Sequence, residues 1–495
     1  MEEKNSRYGQ IIKYAGLFGG VQGLNILVGI VRNKIVTVLL GPDGVGLTAL
    51  FNSTIKFVGD STNLGLSMSA VKEISEAYEQ QNDEKLSHSV MLIRSWSFLT
   101  ALLGMLVCMV LSPLLNRWTF QWGDHTLHFV LLSPVVALLS ITAGETAVLK
   151  GTRKLRQLAT VSVYYTILAC LISIPVFYIW RSAAIVPSLF LFALIQLLLV
   201  IGYSYRAYPL KMNFGRQILG EGMGMVRLGV AFVLAGILGS GAELIIRAFI
   251  SYIDSPAEVG LYSAGYVMTM TYAGMVFSAM ETEYFPRLSA IKGTGPQLND
   301  IVNNQIEVCM LLLSPLLVAF MTFLPVLIPL LYSGKFLPVI GMMQVLVFAM
   351  FLRAVTLPIS YLPLAKGNSV SYLLMESCYD VAVVVLVIVC YQLKGYTGAG
   401  IAIVITMLIE LFVLSVYMRW KYGYRLSPTV GKYALMHLPV LFLAYAMTFV
   451  ETPWLYWTIG IVLTVVSSYL SLRVLQSKTQ FWETLRTKFQ KKWRK

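Results

Sequence analysis

Runs of about 20 apolar residues recur from one end of this chain to the other. At 1.5 Å per helical residue, each is long enough to cross a roughly 30 Å hydrocarbon core. In that solvent every backbone N–H and C=O must find its partner inside the segment, which makes each run a helix. Fourteen runs are readable, near residues 14–40, 45–70, 92–115, 127–149, 158–180, 184–205, 226–252, 258–284, 305–332, 339–364, 370–392, 398–420, 433–450 and 454–474. With 57% of residues hydrophobic and 13% charged, no long polar block remains to fold as a soluble domain. The expected fold is an all-α polytopic membrane protein with about 14 transmembrane helices.

Orientation follows from Lys and Arg, which are retained on the cytoplasmic side. With both termini inside, the inner segments carry 28 of the 38 basic residues, including Lys150, Arg153, Lys154 and Arg156, while the outer loops carry Arg117, Arg181, Lys335 and Lys394. The formal net charge of +14 therefore reflects topology and attraction to anionic lipid, and nucleic acid is not an expected partner. A cleaved leader is not expected, since Glu2 and Glu3 precede a first run too long for a signal h-region. The tail SKTQFWETLRTKFQKKWRK sets Phe481, Leu485, Phe489 and Trp493 four residues apart among basic residues, the pattern of an amphipathic helix on the inner leaflet.

An internal repeat is visible. GPDGVGL at 41–47 matches SPAEVGL at 255–261 through Pro42/Pro256, Val45/Val259, Gly46/Gly260 and Leu47/Leu261, all offset by 214 residues. Each follows a long span with an arginine near its outer end, Arg32 or Arg247. Transporters are commonly built from such repeats. The expected organisation is a six-helix lobe over 1–217, a second over 218–430, two additional helices over 431–475 and the basic tail over 476–495.

Charged side chains inside a span cost at least about 2.5 kcal/mol each at mid-bilayer, so they face protein or water and mark function. In the first span Gln22, Asn25, Gly29 and Arg32 stand 3, 4 and 3 residues apart on one face, and Lys34 points about 200° away from Arg32. The second span repeats the pattern with Asn52, Lys56, Asp60 and Asn63. Lys56 with Asp60, and Glu243 with Arg247, stand at i, i+4 and are able to neutralise each other; Arg32 has no acid at i±3 or i±4. Arg353 in span ten faces three acids, Glu376, Asp380 and Glu410, an excess of negative charge that suits a proton or sodium site. Asp60 is a further candidate for ion coupling. Glu145, Glu281 and Glu283 lie near inner ends and read as interfacial.

Nothing in the sequence resembles a catalytic or metal site. His88, His125, His128 and His437 are scattered, the five cysteines sit in apolar spans without ligand spacing, and no HExxH, GxSxG or P-loop is present. The longest outer loop runs only from about Asn116 to His125. No cofactor or metal is expected, and the short loops count against a membrane glycosyltransferase or polymerase.

VRNKIVTVLLGPDGVGLTALFNS resembles the opening of Wzx-type O-antigen and lipid III translocases, where Arg-Asn-Lys precedes an LGPxGVGL turn. The twelve-plus-two helix plan is similar to the wider multidrug, oligosaccharidyl-lipid and polysaccharide exporter superfamily. The resemblance implies two six-helix bundles in a V shape around a cavity that opens alternately to either side. It implies a flippase of a bacterial inner membrane, carrying an undecaprenyl-pyrophosphate-linked oligosaccharide to the periplasmic leaflet, with possible contacts to polysaccharide polymerase machinery. The diphosphate-binding role falls by position on Arg32 first, then Lys56 and Arg247, with Arg353 weaker and Gln22, Asn25, Asn52 and Asn63 as polar neighbours. A cation-coupled multidrug exporter is the nearest alternative and calls for an acidic cavity in place of Arg32 and Lys56; a passive channel or scaffold calls for no role of Arg32.

Overall fold

Among the described residues, thirteen α-helices and two short 3-10 turns carry the chain, and two of the helices are each a pair joined at a kink. The computed structural model describes the backbone of residues 2–120, 123–291 and 293–479; side chains are described from residue 23 onward, except at 67–68, 217, 219, 224–232, 271–273, 275, 278–283, 286 and 478–479. Gln22, Arg227, Glu281, Glu283 and the tail residues Phe481, Leu485, Phe489 and Trp493 lie outside the described side chains.

In order, the helices are α1 (Glu2–Thr62), α2 (Leu66–Glu79), α3 (Asp83–Thr119), α4 (Thr126–Gly151), α5 (Leu155–Trp180), α6 (Ile185–Ala207), α7 (Arg216–Ile253), α8 (Pro256–Ser289), α9 (Pro296–Leu331), α10 (Ile340–Ala365), α11 (Ser369–Tyr422), α12 (Pro428–Met447) and α13 (Pro453–Thr479). The breaks are chemical. α1 turns at Gly41, with φ 65°, followed by Pro42, and α11 at Lys394–Gly395, where Gly395 has φ 55°. Only glycine takes such a φ without steric cost, and a proline has no N–H to continue the preceding helix. Dividing α1 and α11 at these kinks and setting aside the short α2 leaves fourteen helical segments, which correspond one for one to the fourteen apolar runs. The protein is an all-α, multi-pass membrane protein.

The chain forms two compact units, Met1–Ser263 with Leu330–Lys335, and Ala264–Pro329 with Phe336–Lys495. In the first, the segment after span two begins with a helix. Leu64 and Gly65 both take positive φ and end α1 at Thr62, earlier than the expected residue 70. α2 then lays Leu66, Ala70, Ile74 and Ala77 against Ile93, Trp96 and Val148, leaving Lys72, Glu73 and Glu76 on its outer side. α3 starts on a proper cap, with the Asn82 side chain accepting from the Lys85 N–H at 3.0 Å and Asp83 and Glu84 in the first turn, where the helix dipole favours them.

In the second unit the core is built from α9, α10, the second limb of α11, and α12, around Leu313, Met321, Phe351, Leu414 and Leu441. The turn before α12 is pinned by Asn303, whose Oδ1 accepts from Tyr424 Oη and from the Ser427 N–H, both at 3.0 Å, while its Nδ2 donates to the Arg425 carbonyl. α13 is tied down through Tyr456 Oη to the Thr322 carbonyl at 2.9 Å.

Candidate functional site

The first limb of α1 packs its polar face against α5 and α6. Arg32 donates from Nε to Ser173 Oγ at 3.1 Å, and its guanidinium lies over the Phe192 ring, 4.6 Å from the centroid. The titratable groups that face it are Tyr165 and Cys170, so among the described residues no carboxylate neutralises it. Two turns away, Asn25 Nδ2 donates to Ser162 Oγ at 2.7 Å, while its Oδ1 has no partner among the described residues. Between them, a Cβ added at Gly29 meets no atom within 4 Å. The stripe therefore presents an unneutralised cation, a free amide acceptor and open space beside the backbone that links them.

The second cluster lies where the second limb of α1 meets α7 and the start of α8. Lys56 Nζ binds Glu243 Oε1 at 3.0 Å, and Glu243 Oε2 accepts from Arg247 Nη1 at 3.3 Å. Arg247 Nε donates to Ser263 Oγ at 3.1 Å. Asp60, expected as the partner of Lys56, hydrogen-bonds Ser240, although it still faces Lys56 electrostatically. The helical pair Glu243–Arg247 forms as spaced; Lys56 takes its acid from another helix, because Glu243 already points into the same seam. Asn52 is exposed on this limb and Asn63 stands just past its end.

In the second unit, Arg353 on α10 faces Tyr379, Tyr266, Glu410 and Glu376. Thr356 hydrogen-bonds Glu410, Tyr372 hydrogen-bonds Glu376, and Asp380 is buried. A cavity of about 30 Å³, room for about one water, is lined by Cys378, Tyr379, Thr406 and Glu410 among others. Arg353 is thus brought together with two of the acids read from sequence, and its role as a free cation for substrate is the weaker one. Among the described residues no group of His, Cys, Asp and Glu is arranged to hold a metal.

One reading is corrected. Glu145 is not interfacial: it is 2% exposed and paired with Arg94, itself 1% exposed. The Arg94 fork binds both Glu145 oxygens at 2.8 and 3.2 Å and also reaches the carbonyls of Tyr208 and Pro209, with Tyr205 against the guanidinium face. Of the cysteines, Cys108, Cys170 and Cys309 are core residues, whereas Cys378 is exposed. Sequence spacing missed Ser173, Ser162, Ser240 and Ser263. Ser173 and Ser240 are single hydroxyls in apolar runs, while Ser162 and Ser263 stand among threonines and tyrosines, so no spacing singles them out.

A family model described as "Polysaccharide biosynthesis protein" matches residues 35–341, more than half of the chain. The chain belongs to that family. No curated protein matches. Among solved structures, the lipid II flippase MurJ in an inward closed conformation superposes with a TM-score of 0.73 at 14% identity, covering 93% of this chain and 99% of that one. An inward-facing multidrug resistance MATE family transporter of the MOP superfamily gives 0.65 at 15% identity over 82% and 96%. A MOP superfamily transporter from Pyrococcus furiosus, described by the reverse polarity of its binding pocket, gives 0.53 at 13% identity over 83% and 95%. At these identities the likeness is one of fold. The family protein has the fold shared by flippases and multidrug transporters.

Proposed function

We propose that the protein is a flippase, a transporter without bond chemistry of its own. It carries an undecaprenyl-diphosphate-linked oligosaccharide from the cytoplasmic to the periplasmic leaflet of a bacterial inner membrane by alternating access. The observation that carries this reading is Arg32, a cation inside an apolar span that uses one hydrogen bond to protein, to Ser173, and faces no carboxylate among the described residues. A cation inside an apolar span faces protein or water and marks a functional site, and this one has no carboxylate among the described residues to neutralise it. A diphosphate is such an anion, and the planar guanidinium fork matches its oxygens. Each charge-assisted hydrogen bond contributes roughly 1.5–3 kcal/mol, enough to replace part of the headgroup's hydration. The unpartnered Asn25 Oδ1 suits a sugar hydroxyl beyond the phosphates. Membership in a polysaccharide biosynthesis family supports the sugar-lipid class over a multidrug substrate.

Lys56 and Arg247 form the second station, where Glu243 already neutralises part of the charge. Arg353 with Glu376, Asp380 and Glu410 is the candidate for ion coupling, one cation among three carboxylates. The test is translocation in proteoliposomes loaded with an undecaprenyl-diphosphate oligosaccharide. The unmodified protein is expected to move it across, Arg32→Lys to retain part of the rate, and Arg32→Ala to lose it while inserting normally. Full activity of Arg32→Ala sinks the assignment.

A further inference from the structure

Both oxygens of Glu243 are occupied by cations, but the two bonds differ in kind. Arg247 is 8% exposed, is one turn along the same helix, and is fixed by Ser263; Lys56 is 52% exposed, Glu243 is 37% exposed, and their bond joins the second limb of α1 to α7. Among the described residues it is the one ion pair that crosses this seam. Apart from Asp60 and Arg247, the rest of the seam is uncharged and close. At its far end a Cβ at Gly46 would fall 1.7 Å from the Pro256 carbonyl oxygen, and a Cβ at Gly260 would fall 2.0 Å from the Pro42 carbonyl oxygen. The contact is reciprocal: 42 and 46 meet 260 and 256, the positions matched by the 214-residue offset. Nearer the ion pair, Phe57 faces Gly241 and Asp60 faces Gly236 and Ser240. Gly46, Ser53 and Asp60, seven apart, share the face of α1 that forms this seam.

We infer that Glu243 is a counter-anion built into the chain. It latches Lys56 in the closed seam, and a diphosphate that takes over Lys56 releases the latch and lets the seam open. The inference rests on the reading of this protein as a diphosphate-lipid carrier. A half-exposed ion pair is held weakly, and a diphosphate brings more negative charge to Lys56 than one carboxylate does. When Lys56 leaves, Glu243 keeps Arg247 as its partner, so no carboxylate is stranded. Asp60, one turn from Lys56, is the acid that reclaims the ammonium when the headgroup departs.

The test places a thiol in the seam. Ser53 is 5% exposed and its hydroxyl bonds only to the Ala49 carbonyl of its own helix, so Ser53→Cys is a mild reporter. The full chain, with its five native cysteines replaced, is reconstituted and alkylated with a water-soluble maleimide. Glu243→Gln is expected to speed alkylation about fivefold, the ratio set by an ion pair of this exposure. Lys56→Gln, which leaves Glu243 on Arg247, is expected to speed it to the same degree, and the double variant Lys56→Gln with Glu243→Gln no further, which separates a latch from a misfolded chain. Undecaprenyl diphosphate added to the chain with both residues intact is expected to speed it as Glu243→Gln does. An unchanged rate in Glu243→Gln, or additive rates in the double variant, overturns the latch whatever the lipid does. A latch that behaves as expected but ignores undecaprenyl diphosphate upholds Glu243 and overturns the diphosphate reading beneath it.

Discussion

Two arginines of the first unit show how little residue type says without its surroundings. Arg94 is spent inside the protein, on Glu145, two carbonyls and the Tyr205 ring. Removing one partner of such a pair leaves a buried charge and costs about 3–5 kcal/mol. Arg94→Ala is therefore expected to collapse abundance in the membrane and lower the thermal midpoint in detergent, with Glu145→Ala doing the same. Arg32, with one hydrogen bond to protein, is expected to behave oppositely: Arg32→Ala keeps normal abundance and loses transport. Lys34→Ala is expected to retain most transport, and equal loss at both positions contradicts the separation of their faces. Arg32 was legible in the sequence because a cation interrupts an apolar run and no acid lies within a turn. The Arg94–Glu145 pair was not, since its partners lie 51 residues apart on different helices and nothing local links them.

At the scale of elements, apolar periodicity located the helices, and what it missed has local causes. Most of α2 lies outside the apolar runs because its charged outer face dominates its composition, although Leu66, Ala70, Ile74 and Ala77 carry a helical stripe. The turn before α4 has its own device. His125 lies tilted against Phe120 and touches His128, while its backbone N–H donates to Asn116 Oδ1 at 3.0 Å. Burial, with His128 beside it, holds the His125 imidazole below its ordinary 6.5. A depressed folded-state value favours the neutral ring, so this part of the stability is present above pH 6.5 and is lost as pH falls through the folded value. Amide protection factors at Phe120 and His125 are expected to drop on acidification below pH 6.5, and His125→Gln to abolish that dependence. The Gly46–Gly260 crossing makes a second prediction. Backbone oxygens cannot step aside as a side chain does, so Gly46→Ala and Gly260→Ala are each expected to lower the thermal midpoint. Because the two contacts share one approach, the double variant is expected to cost less than the sum.

For the whole molecule, the number of spans was legible because hydrocarbon permits so few structures, and the kinks at Gly41 and Gly395 coincide with gaps between runs. Helix pairing was not legible: the choice of Glu243 over Asp60 by Lys56 depends on how the second limb of α1 lies on α7. The claim at the centre is that Arg32, which faces no carboxylate among the described residues, receives a diphosphate. Binding of undecaprenyl diphosphate to the purified protein in lipid nanodiscs tests it directly, with uncharged undecaprenol as the control. Losing one or two charge-assisted hydrogen bonds of roughly 1.5 kcal/mol each is expected to weaken the affinity of Arg32→Ala by about ten- to a hundredfold, with undecaprenol unaffected and the thermal midpoint unchanged. Equal affinity of both proteins for the diphosphate lipid contradicts it.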